Sequence, residues 1–322
     1  MWRSRLVILC VTIAASSGPA GAQGTDDPAR ACGNSDPEVR IRACTSIIES
    51  RTAKPADLAE AYRNRGMAYG LERNLERAFA DYDRAIEVEP GNPRGFLVRG
   101  NALSERKDTA RAIADYSRAI ALDPNYVMAL SGRAEAFRSA RDYSHAVADY
   151  DRLIALEPDA PVSWAQRGAI KLEARQSEGA LKDYDQAVKL AGQFAWPWTS
   201  RCWARGLSGR LQEALADCNA ALRIDPADET GVGESAFANR GVIRLKHGEY
   251  DAAVSDFDAA LKNDPHLGRA LYGRGLARQK KGDAKGSDAD LAAAIAINPD
   301  IAAEFDQWGL NDRAGPATAS KK

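Results

Sequence analysis

Apolar residues in this chain recur in a fixed phase of 34 positions, and within each cycle they fall on two helical stripes separated by short polar turns. Prolines mark the phase: Pro90, Pro124, Pro158, Pro226, Pro265 and Pro299 lie 34, 34, 68, 39 and 34 residues apart. Units that end just after these prolines run 59–92, 93–126, 127–160, 161–194, 195–228, 234–267 and 268–301, with an insert at 229–233 and Gly192 in place of one proline. The second stripe of each unit occupies positions 20, 21, 24, 27 and 28, as in Ala112, Ile113, Tyr116, Ala119 and Ile120, which is one face of a helix. Asn74, Asp108, Asp142 and Asp283 stand at position 16, where a short polar side chain caps a helix start, and the proline at position 32 ends it.

Position 4 is large (Tyr62, Phe96, Leu130, Trp164, Trp198, Phe237, Leu271), position 8 small (Gly66, Gly100, Ala134, Gly168, Cys202, Gly241, Gly275), and position 20 is alanine until Ser287 in the last unit. Small residues at 8 and 20 let two antiparallel helices approach closely, and a bulky residue at 24, usually Tyr or Phe, fills the space beside them. A single pair of such helices cannot bury its apolar face, so the units must stack.

On these residues the chain resembles the tetratricopeptide repeat family, whose 34-residue pattern is W-x₂-L-G-x₂-Y, then A-x₃-F, then P. Unit 161–194 carries it as Trp164-x-x-Arg167-Gly168 followed by Ala180-x-x-x-Tyr184. The resemblance covers 59–301 and implies an all-α right-handed superhelical solenoid of antiparallel helix pairs with capping helices at its ends.

One departure is systematic. Position 7, often leucine in that family, is Arg65, Arg99, Arg133, Arg167, Arg201, Arg240 and Arg274, and sixteen residues after each lies Asp81, Asp115, Asp149, Asp183, Asp217, Asp256 or Asp290. Opposite charges in a constant phase between paired helices predict structural ion pairs, each guanidinium held by a carboxylate of its own or the next unit. A row of arginines gripping an acidic ligand is the competing reading, and the counter-charge in every unit speaks against it.

The ends differ from the repeats. Residues 1–22 read as a bacterial-type export signal: Arg3 and Arg5, an apolar stretch from Leu6 to Ala15, and small residues Ala20-Gly21-Ala22 before expected cleavage at Gln23. A periplasmic or secreted location follows, with no membrane insertion after cleavage. Residues 23–58 hold Ala43, Ile47 and Pro55 in the spacing of positions 20, 24 and 32 without a matching first helix, which predicts a degenerate half-repeat and cap. Ile301, Ala302, Phe305 and Trp308 form an apolar stripe on a C-terminal capping helix expected over 302–313, and 314–322 is expected to be a disordered tail.

Four cysteines remain after cleavage and allow three pairings in an oxidising compartment. Cys202 and Cys218 hold positions 8 and 24 of one unit, so Cys202–Cys218 and Cys32–Cys44 are the favoured disulfides. A redox pair or a metal site is the rival reading, and it lacks a C-x-x-C spacing or nearby histidines.

Composition narrows the function. The 322 residues are 45% apolar, enough for a sizeable core, and 44 basic against 45 acidic residues leave a net charge of −1. No basic field exists to hold nucleic acid. Three histidines in unrelated repeat positions, no Gly-x-Ser-x-Gly, no phosphate loop and no His-Glu-x-x-His argue against an enzyme, a metal site or a cofactor.

The resemblance implies a concave groove lined by first helices, binding extended or helical peptides through positions 2, 5, 9, 12 and 13. Carried onto this chain, the groove residues are Met128, Val162, Ala165, Ala169, Trp196, Trp203, Ala238, Val242, Tyr272 and Leu276. Trp196 and Trp203, seven apart on one helical face, would be its centre if exposed; alternatively both pack against the insert or a neighbouring helix. The family's carboxylate-gripping set is incomplete here, with Arg63 and Asn101 among the few matches. The expected function is a non-enzymatic exported scaffold or adaptor for a peptide or protein partner of the cell envelope; the alternative is a self-assembling structural protein, and the oligomeric state is open.

Overall fold

The structure, a computed structural model, describes residues 27–50, 52–229 and 235–311. The expected export signal, most of the insert, residues 312–313 and the expected tail lie outside the described residues. All regular elements among the described residues are helices. Helices α1 (Pro28–Cys32) and α2 (Pro37–Glu49) precede the first hairpin, α3 (Pro55–Leu71) with α4 (Leu75–Val88). The second and third hairpins pair α5 (Pro93–Glu105) with α6 (Thr109–Leu122) and α7 (Val127–Ser139) with α8 (Tyr143–Leu156). The fourth and fifth pair α9 (Pro161–Glu173) with α10 (Ser177–Ala191) and α11 (Ala195–Leu207) with α12 (Leu211–Ile224). The sixth and seventh pair α13 (Ala236–His247) with α14 (Tyr250–Asn263) and α15 (Gly268–Lys280) with α16 (Ala284–Ile297), and α17 (Ile301–Gln307) follows.

The chain divides into two compact units, one ending at Asp159 and the other beginning at Ala160. In each unit a first helix packs on its own second helix and on the first helix of the next hairpin, so the first helices form a row. The fold is an all-α stack of helical hairpins.

Local chemistry sets the hairpin turn. Asn74, Asp108, Asp142 and Asp283 each accept a hydrogen bond from the backbone N–H three residues on, which satisfies a free donor at the start of the second helix. The residue just before, position 15, is left-handed in every unit: Arg73, Lys107, Arg141 and Arg175 have φ of 60–62°, and Gly209, Gly248 and Gly282 of 78–86°. Only the last three hairpins place glycine at this turn, where a side chain costs free energy.

The position-24 ring is clasped from two sides. A Cβ added at Gly100 would lie 2.9 Å from Tyr116, and one added at Gly132 on the following first helix would lie 2.8 Å from the same ring. Phe257 is held in the same way, at 2.7 Å from Gly241 and 2.4 Å from Gly273. Glycine at position 6 of the next repeat is therefore as necessary in these hairpins as the small residue at position 8. In the fifth hairpin the Gly–Tyr contact is replaced by a covalent one, Cys202–Cys218, with Sγ atoms 2.00 Å apart.

In the N-terminal cap Cys32 lies in the short helix α1, and it is bonded to Cys44 of α2. Both sulfurs are buried with Ala61, so α1 lies against the first hairpin as well as against α2.

Candidate partner-binding surface

The position-7 arginines stitch the stack and are not free to grip a ligand. In every unit the guanidinium donates through Nε and Nη2 to both oxygens of the aspartate sixteen residues on, at 2.6–3.0 Å. All seven aspartates are buried. The third donor, Nη1, reaches backward to position 25 of the preceding hairpin: Arg99 to Asp83, Arg133 to Ser117, Arg201 to Asp185, Arg240 to Asn219 and Arg274 to Asp258, all at 2.7–3.1 Å. The same guanidinium lies over the position-4 ring, 4.8 Å from Trp164 and 4.9 Å from Trp198. Hydrogen bonds that they donate to Asp115 and Asp290 hold Arg99 and Arg274 well above the usual arginine range. The sixteen-residue spacing signals the intra-hairpin pair; the backward contact has no equally regular signal, because position 25 varies between Asp, Ser and Asn.

The row of first helices supplies the remaining surface, and it differs between the units. In the N-terminal unit Met128 is 57% exposed at the start of α7, while Arg63 on α3 is buried beside Glu89, and burial lowers its pKa. In the C-terminal unit Val162 is 57% exposed on α9, and Ala165, Ala169 and Trp196 are half-buried. These four are the part of the expected groove that the C-terminal unit leaves accessible.

The rest of that expected groove is covered. Trp203, Ala238, Val242, Tyr272 and Leu276 are buried in one apolar cluster with Ile301 and Phe305. The expectation that they line an open wall is wrong: α17 and the residues after it lie on the first helices of hairpins five to seven. Phe305 meets the Tyr272 ring at 4.7 Å, and Trp308 meets Trp203 edge-on at 4.7 Å. Arg269 lies over both indoles, 4.4 Å from the Trp203 ring centre and 5.6 Å from that of Trp308. Trp203, 7% exposed, is therefore no free anchor; its partner is the chain's own C-terminal segment. The apolar stripe Ile301, Phe305, Trp308 is visible in sequence, but which wall it covers is not.

Among the described residues no three His, Cys, Asp or Glu side chains are grouped to hold a metal ion. His145 pairs with Asp142 and His247 with Glu249, both exposed at turns of different hairpins.

Comparison with known proteins agrees with the geometry. The family model for the tetratricopeptide repeat matches residues 59–92, and a second model of that description matches 97–161, 166–229 and 239–300. Among curated proteins no sequence matches. A tetratricopeptide repeat protein of Parabacteroides merdae is similar in fold, with a TM-score of 0.65 at 15% identity over 78% of this chain and 98% of that one. PilF of Pseudomonas aeruginosa has a TM-score of 0.52 at 16% identity, covering 66% of this chain and 96% of its own. Yeast Tom70 has a TM-score of 0.58 at 14% identity over 84% of this chain, which spans 57% of Tom70. A period of 34 residues, seven hairpins in one phase and family models matching most of the sequence lead to one conclusion: this chain belongs to the tetratricopeptide repeat family.

Proposed function

We propose that this protein is an exported, non-enzymatic adaptor that holds a segment of an envelope or secreted protein against its row of first helices. The observation that carries the reading is the accessible apolar strip on adjacent first helices of the C-terminal unit, Val162 on α9 and Trp196 on α11, with Ala165 and Ala169 between them in sequence. Tetratricopeptide repeat proteins commonly bind peptides or proteins, and a stack already ordered before contact avoids most of the ordering entropy of binding. Two cysteine pairs at bonding distance suit an oxidising compartment, and residues 1–22 carry the pattern of an export signal. No helix among the described residues is long and apolar enough to cross a membrane.

The test is capture from a periplasmic extract by the wild type and by a Val162→Glu/Trp196→Ala variant whose helicity is unchanged. Loss of a captured protein by about tenfold or more supports the adaptor; equal capture overturns this placement of the site. Light scattering decides the self-assembly alternative. A size that grows with concentration, with nothing captured, would replace the adaptor reading.

A further inference from the structure

The first helices of hairpins five to seven pack against the chain's own C-terminal segment. Ile301, Phe305 and Trp308 are spaced four and three apart, the i, i+4, i+7 pattern by which an amphipathic helix enters an apolar groove. The segment crosses from Tyr272 on α15 to Trp203 on α11. It is fastened by Asn311, which donates to Ala302 O at 2.7 Å and accepts from Tyr272 Oη at 3.3 Å. On the receiving side Arg269, over the rings of Trp203 and Trp308, is held by a 3.0 Å hydrogen bond to buried Asn239.

We propose that this surface is a second binding site and that residues 301–311 are its removable occupant, displaced by a partner's short amphipathic helix with bulky apolar residues at i, i+4 and i+7. The proposal rests on the reading that the row of first helices binds protein segments. Three features make the built-in helix removable. It has seven residues, too few to be stable alone. No side chain caps its start. Trp308 stays half-exposed although it is the residue that reaches farthest. The fit is also incomplete: Asn239 is wholly buried, and its Nδ2 finds no acceptor. A buried donor without a partner favours exchange for a ligand that supplies one.

The probe is a labelled peptide with the sequence of residues 299–311, added to the full-length wild type and to full-length Phe305→Ala/Trp308→Ala. With the internal competitor weakened, the variant should bind the peptide about tenfold tighter than the wild type, and a peptide carrying the same two alanines should not bind. Equal binding by the two proteins, or no binding by a folded variant, overturns the proposal. Hydrogen exchange on the wild type decides the case even if the variant misfolds. Amides of 304–308 should exchange roughly a hundredfold faster than those of α15, and equal protection would make the segment a permanent cap and overturn displacement. A wild-type dimer dispersed by the peptide would show a second copy as the occupant and overturn the assignment to a different protein. The Val162/Trp196 variant does not touch this segment, so failure here with capture intact leaves the adaptor reading standing.

Discussion

The two units neutralise the same buried aspartate in different ways. In the N-terminal unit Asp81, Asp115 and Asp149 each receive one guanidinium, and position 11 of those hairpins is Tyr69, Leu103 or Phe137. In the C-terminal unit a second cation enters from position 11: Lys171 to Asp183, Arg205 to Asp217, Arg244 to Asp256 and Arg278 to Asp290, all at 2.7–2.8 Å. A carboxylate that takes one guanidinium leaves position 11 free for packing. A carboxylate between two cations is more completely satisfied, and its loss strands more charge. The units differ again at position 24, which is Tyr82, Tyr116 and Tyr150 in the first, and Tyr184, Cys218, Phe257 and Leu291 in the second.

The sharpest way to break this comparison is to remove the carboxylate in each unit. Asp256→Ala, which leaves Arg240 with only the neutral Asn219 and Arg244 with Glu249 at 3.8 Å, should cost about 3–5 kcal/mol in denaturant unfolding. Asp115→Ala leaves Arg99 with Asp83 as partner and should cost roughly 2 kcal/mol. Equal losses would show that the second cation adds nothing. Replacing Cys202 and Cys218 by alanine opens a bridge spanning a separation of 16 residues and should cost about 3 kcal/mol on the chain-entropy account, read as a lower melting temperature of the C-terminal unit.

Alkaline pH separates the units next. Burial pushes Tyr82 and Tyr116 up to about 12 and raises Tyr150 further, because each ring is held where a phenolate would lose its water. Their folded pKa values stand above the unfolded value of about 10, so this stabilisation is complete below pH 10 and is lost as the pH rises through 12. The N-terminal unit should weaken over that window by roughly 1–3 kcal/mol per tyrosine, and Tyr→Phe at 82, 116 and 150 should flatten the profile. The smallest expected effect is at position 15: Lys107→Gly should stabilise, and Gly248→Ala destabilise, by about 1 kcal/mol each in thermal melts.

How far the sequence reveals this molecule depends on whether a feature repeats. The hairpin phase is readable because proline, glycine and alanine recur where sterics leave no alternative, as at Gly66 and Ala78. The pairing of Arg65 with Asp81 is suggested by a spacing kept seven times. Position 11 escapes notice because Tyr69, Leu103 and Lys171 share no chemistry, and only coordinates show that the lysine turns to Asp183. The covering of Trp203 is hidden for another reason. A stripe such as Ile301, Phe305, Trp308 declares that it must be buried, but not against which surface, and that choice depends on contacts about a hundred residues apart in sequence.

The backward reach of the position-7 guanidinium has a consequence for how the chain is made. Arg99, Arg133, Arg201, Arg240 and Arg274 each look toward the hairpin that came earlier, so a polypeptide growing from its amino end offers every new pair of helices a finished berth. Assembly can then proceed within each unit like the closing of a zip, with direction written into side chains rather than supplied from outside.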